Sequence, residues 1–165
     1  MVDRGLLGLT IRTFAAVLVA TVASAIAGET SRPDFSGTYV PANGKNEIIQ
    51  NADWILEVVQ TRTEIQVKET LRGKSIANSF RLDGSTSPYT PPQGGTGTCT
   101  ARFEGRTLIF DKLATTPQAD GRGDRQLHNT EKWVLSPDSR TIRVHIAFVG
   151  GVGGVIWAKV QDRGR

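Results

Sequence analysis

One cysteine, one methionine and two histidines among 165 residues leave this chain little of the usual reactive side-chain chemistry. Cys99 has no partner within the chain, so no internal disulfide can staple the fold and packing alone must hold it. His128 and His145 lack the second cysteine or clustered carboxylates that a metal site would need, so neither a metal nor another cofactor is expected. Charge is not one-sided either. Arg62, Lys68, Arg81, Arg102, Lys112 and Arg143 are scattered and are not interleaved with exposed aromatics, which argues against a nucleic-acid platform. Gly94 to Gly97 and Gly150 to Gly154 are neither followed by Lys-Ser or Lys-Thr nor placed to open a helix, so they read as turns rather than phosphate cradles.

Long apolar runs are also scarce. Phe14 to Ile26 is uncharged and follows Arg4 and Arg12, and Ala25-Ile26-Ala27 has the small-x-small form of a cleavage site. Residues 1–27 therefore read as an export signal, and removing them leaves 138 residues, enough for one domain over 28–165. No later stretch could span a membrane, so a periplasmic or secreted protein is expected. Without the two arginines and one aspartate of the signal, 18 basic residues face 15 acidic ones, a mixed and solvated surface.

What the chain does have is alternation. Around Thr61-Arg62, Arg72-Gly73, Glu104-Gly105 and Pro137-Asp138, apolar and polar residues alternate with period two, the mark of half-buried antiparallel strands. The first turn sets Val58 opposite Ile65 and Leu56 opposite Val67; the second sets Ile65 opposite Phe80 and Val67 opposite Asn78. Two independent turns thus select the same inner face, and a one-residue slip would send that whole set to solvent. The third sets Ala101 opposite Leu108 and Cys99 opposite Phe110, which makes Cys99 a buried, inert thiol. The fourth sets Trp133 opposite Ile142 and Glu131 opposite Val144, leaving His145 on the outer face and apart from Glu131. Trp157 is expected to point inward from the last strand. Residues 85–97 and 112–125 read as long loops. The whole reads as an all-β, up-and-down antiparallel meander of about eight or nine strands, with no helix after the signal, closed into a barrel that removes its edges.

Asp34 to Tyr39, Leu82-Asp83-Gly84, Phe103 to Ile109 and Glu131 to Asp138 resemble the motifs of small, secreted, largely uncharacterised bacterial proteins with a lipocalin-like barrel. Tyr39 and Phe103 stand where that pattern would have tryptophan, and Ser139 where it would have glycine. The resemblance implies an exported barrel and assigns no catalytic residue.

On the inner face, Trp54, Phe80, Phe110 and Trp133 accompany Gln60, Asn78, Asn129 and Glu131. An apolar cavity with a few convergent polar groups is the form of a small-ligand site. The expected function is binding of a small, partly apolar molecule, lined by those aromatics, oriented by Gln60, Asn78 and Glu131, and lidded by the 85–97 loop through Tyr89. The alternative is a non-enzymatic envelope or interaction module with a filled barrel, touching partners through loops 85–97 and 112–125. An enzyme is the less favoured reading.

Overall fold

A computed structural model describes residues 32–42, 53–118 and 123–160, so the proposed signal at 1–27 lies outside the described residues. Ten strands follow one another: β1 (Gly37–Pro41), β2 (Ile55–Gln60), β3 (Glu64–Leu71), β4 (Lys74–Arg81), β5 (Asp83–Tyr89), β6 (Thr96–Glu104), β7 (Thr107–Pro117), β8 (Asp124–Leu135), β9 (Thr141–Phe148) and β10 (Gly151–Lys159). They form one antiparallel sheet in the order β4-β3-β2-β1-β10-β9-β8-β7-β6-β5. Sequence neighbours pair, and β1 pairs with β10, so the sheet curls into a nearly closed all-β barrel. The count exceeds the expected eight or nine.

The extra strand is β5, in a segment read above as loop. Its sequence, Asp-Gly-Ser-Thr-Ser-Pro-Tyr, is poor in strand formers. β5 ladders only to β6, with a bulge between Asp83 and Thr86, so Pro88 costs no hydrogen bond to a second neighbour. The 85–97 loop is thereby corrected to a short connection after Tyr89, and Tyr89 is a strand residue rather than the tip of a lid. The 112–125 loop is likewise mostly strand: β7 continues to Pro117 and β8 begins at Asp124. The segments that the alternative reading takes as contact loops are thus mostly strand with short connections.

Parity survived where register did not. The Arg72-Gly73 hairpin pairs Leu71 with Lys74 as expected, both turn residues taking the positive φ (51° and 76°) of a type I′ turn. In the other three hairpins the pairing moves by two residues: Val58 faces Val67, Ala101 faces Phe110, and Trp133 faces Val144. Polar side chains widen two of these turns. Thr61 Oγ1 accepts from the Thr63 and Glu64 amides (3.3 and 3.1 Å), and Ser136 Oγ accepts from those of Arg140 and Thr141 (3.2 and 2.9 Å). In the third, Gly105 takes positive φ and the tight turn becomes Gly105-Arg106. A shift of two leaves every side chain on its expected face. Ser139, standing where the resemblance would have glycine, adopts φ 57°.

The lead-in before β1 plugs one end of the barrel. Phe35 is fully buried, and its ring meets Trp133 (6.3 Å) and Phe103 (6.2 Å). The Tyr39 hydroxyl donates to the Phe35 carbonyl (2.9 Å). Above this plug, Leu56, Val58, Ile65, Phe80, Ala101, Leu108, Phe110, Ile142 and Val144 close the core.

β4 and β5 form no ladder, and side chains bridge their seam instead. The Asn78 amide donates to the Thr90 carbonyl (3.0 Å) while its oxygen accepts the Thr90 N–H (2.8 Å); Ser87 Oγ accepts the Arg81 N–H (3.2 Å). Asn78→Ala removes two of these bonds, each worth about 0.5–1.5 kcal/mol. It should lower stability by about 1–2 kcal/mol and speed amide exchange at Thr90; unchanged exchange there would show that the seam does not depend on Asn78.

Candidate functional site

The two ends of the barrel interior differ. Around the plug most inward residues are buried, with Phe103 and Gln60 partly exposed beside Phe35. Towards the other end Trp54, Glu69, Ile76, Tyr89, Asn129, Ile146 and Val155 face inward yet remain partly exposed. Strand alternation places them there: Glu69 sits opposite Ile76 on β3–β4, and Val155 opposite Val144 on β10–β9.

At the boundary between these halves lies a buried ion pair. On β7, Phe110, Lys112, Ala114 and Thr116 point inward in succession and are all buried. Lys112 Nζ donates to Glu131 Oε1 of β8 at 2.6 Å, with side chains only 7% and 11% exposed. Glu131 Oε2 accepts the Trp133 indole N–H at 3.0 Å, so both carboxylate oxygens are engaged. The ammonium also rests over the rings of Tyr89 (5.3 Å) and Phe110 (5.4 Å), a favourable cation–π arrangement. Burial alone would push the Lys112 ammonium towards neutrality. Glu131, Tyr89 and Glu69 reverse that and hold its pKa above the ordinary lysine value.

A second carboxyl faces the same space from the opposite wall. Burial pushes the Glu69 pKa up, and Glu131 adds to this, while Lys112 and a hydrogen bond from Trp54 draw it down. Trp54 in turn packs edge-on against Trp157 (4.8 Å, 75°), which points inward as expected. Tyr89 and Cys99 are both driven up to about 12, chiefly by burial. Cys99 is a buried free thiol and is protonated at neutral pH.

Of the residues singled out in the sequence, Phe80, Tyr89, Phe110, Glu131 and Trp133 come together. Phe80 stacks on Phe110 (5.3 Å) and Tyr89 (6.3 Å), and Phe110 on Trp133 (4.9 Å). Trp54 stands across the interior beside Glu69. Gln60 and Asn78 are occupied elsewhere. Gln60 clamps the plug, its oxygen accepting the Phe35 N–H (3.1 Å) and its amide donating to the Pro33 carbonyl (3.0 Å). Asn78 holds the seam. Two interior residues stand outside the candidates expected from the sequence: Lys112, in the segment that reads as a loop, and Glu69. The even-numbered alternation through Phe110, Lys112, Ala114 and Thr116 was the available signal for Lys112.

Glu131 faces Ile146, and His145 lies opposite Lys132 on the outer surface, so no acid–base pair forms between them. His128 pairs with Asp111 (2.8 Å) outside the barrel. Among the described residues no three His, Cys, Asp or Glu side chains converge as a metal site, and no helix is long and apolar enough to cross a membrane.

Solved structures share this architecture. One described as the REP1-NXSQ fatty acid transporter superposes with a TM-score of 0.60 at 15% identity, over 78% of this chain and 97% of its own. Echinococcus granulosus fatty-acid-binding protein 1 gives 0.57 at 13%, over 77% and 98%. Secretory abundant heat soluble protein 4 from Ramazzottius varieornatus gives 0.55 at 11%, over 77% and 95%. At these identities the likeness establishes a fatty-acid-binding-protein-like, and so lipocalin-like, barrel and nothing finer. Neither a protein-family model nor a curated sequence matches the chain.

Proposed function

We propose that this protein binds a small, partly apolar molecule in the open half of its barrel, outside the cytoplasm. The observation that carries this is the interior gradient: inward-facing Trp54, Tyr89, Ile146 and Val155 stay accessible at one end while the other end is plugged by Phe35. The molecule's apolar body would lie against Trp54, Trp157, Ile146 and Val155, with Tyr89, Phe110 and Trp133 forming the floor around Lys112 and Glu131. Barrels of this kind in the fatty-acid transporter and fatty-acid-binding protein support the reading by analogy of fold. Export rests on the signal-like residues 1–27.

Intact native mass spectrometry of the protein purified from its own source tests both parts. The expected result is a chain beginning at Gly28 that carries a small apolar adduct, with the adduct lost in Val155→Trp, which fills the open half. A folded protein with no adduct, and none taken up from a lipid extract, would overturn the binding proposal. A mass that retains residues 1–27 would overturn cleavage at that site.

The filled-barrel interaction module keeps one observation in its favour. Val149 and Val152 are 88% and 84% exposed at the β9–β10 hairpin tip, beside a half-exposed Phe148. Its contact surface would be that hairpin, not the two segments expected from sequence. Adduct loss in Val155→Trp, which leaves the tip unchanged, separates the two readings.

A further inference from the structure

The interior polar groups constrain which head group the bound molecule can carry. Lys112 is the only lysine or arginine among the described residues that is buried inside the barrel. Arg125 shares the inward parity but is exposed near the end of the β7–β8 hairpin. Lys112 is also already neutralised, since Glu131 sits 2.6 Å from its nitrogen and is fixed from behind by the Trp133 indole N–H. The ammonium keeps N–H donors, but its charge is already balanced, so a carboxylate drawn to Lys112 would add an uncompensated negative charge beside Glu131 and towards Glu69. A forked guanidinium, the group best suited to grip a carboxylate by two parallel bonds, is missing from the buried interior of the described residues.

Glu69 presents the opposite opportunity. It faces the interior from β3 beside Trp54, and among the described residues no ion pair engages it. A carboxyl group can accept several hydrogen bonds, so Glu69 keeps capacity that Glu131 has spent. It is also flanked by accessible apolar surface on Trp54 and Ile76, where the first carbons of a chain could lie.

Resting on the binding site argued above, we propose that the interior selects amphipathic molecules with a hydrogen-bond-donating head, a primary amine or an alcohol, over free carboxylates, with Glu69 as the receiving group. Glu69 acts as a specificity-determining contact, and the Lys112–Glu131 pair as the neutral floor that gives a carboxylate no free cation.

Isothermal titration of the purified, delipidated protein with three twelve-carbon probes, 1-dodecylamine, 1-dodecanol and dodecanoate, tests this below their micelle-forming concentrations. The amine and the alcohol should each bind about tenfold or more tighter than dodecanoate at pH 7. In Glu69→Gln the amine should weaken by about tenfold while dodecanoate binds no worse, closing the gap. Circular dichroism confirms that the variant remains folded, and Glu69→Leu, which removes all acceptor capacity, should weaken the alcohol as well. Dodecanoate binding as tightly as the other two, or a preference unchanged in Glu69→Gln, would overturn this inference while leaving the binding site standing. Binding of none of the three would overturn the site itself.

Discussion

Lys112→Met should destabilise the barrel by about 3–5 kcal/mol, because it leaves Glu131 buried with its charge uncompensated. The two side chains are 7% and 11% exposed, and the bond between them is 2.6 Å long, so little water reaches the carboxylate to replace the lost ammonium. Glu131→Gln alone should also be costly, since it strands the Lys112 ammonium above Phe110 and Tyr89. The double variant Lys112→Met/Glu131→Gln should recover most of the loss and lie within about 1 kcal/mol of the parent, because the amide oxygen still accepts the Trp133 N–H and neither of the two side chains is charged. Urea unfolding of all four proteins gives the coupling. Losses that simply add would mean that Lys112 and Glu131 do not share one buried bond.

Phe110→Ala should cost about 3–5 kcal/mol, as large-to-small changes in packed aromatic cores do. The ring is fully buried. It meets Phe80 at 5.3 Å and 67°, Trp133 at 4.9 Å and 58°, and carries the Lys112 ammonium over its face, so its removal opens a void beneath the ion pair. Lys68→Ala and Arg102→Ala serve as outer-face controls. Each breaks an ion pair whose side chains are about half exposed, to Glu57 and to Glu104, and should change stability by no more than about half a kcal/mol. A Phe110→Ala loss no larger than the controls would mean that the interior is not packed at that level.

The barrel was legible in the sequence because alternation is a property of faces, and faces survive a register shift of two. Ile65, Val67, Ala101, Trp133 and Ile142 all point where their spacing placed them, although three of four turns close differently. The turns misled because their geometry depends on which side chain captures a free amide, as Thr61 and Ser136 do, and spacing does not show that. β5 escaped because a strand with a single ladder partner can be built from Ser, Thr, Gly and Pro without a hydrophobic pattern. The site was half legible. Its aromatics and Glu131 stood out by parity, but Lys112 read as the start of a charged loop because a buried lysine is rare, and only the carboxylate opposite makes its burial tolerable. Gln60 and Asn78 have inward parity as expected, yet each spends its hydrogen bonds on backbone, which a sequence pattern cannot reveal.

A crystal structure of the protein soaked with 1-dodecanol shows whether the open half of the barrel holds an amphipathic molecule above the Lys112–Glu131 floor. Continuous density for the chain is expected among Trp54, Trp157, Ile146 and Val155, with the hydroxyl within hydrogen-bond distance of Glu69. Those four side chains closed upon one another, with dodecanol absent from the interior or seated on the Val149–Val152 hairpin, would contradict the binding proposal.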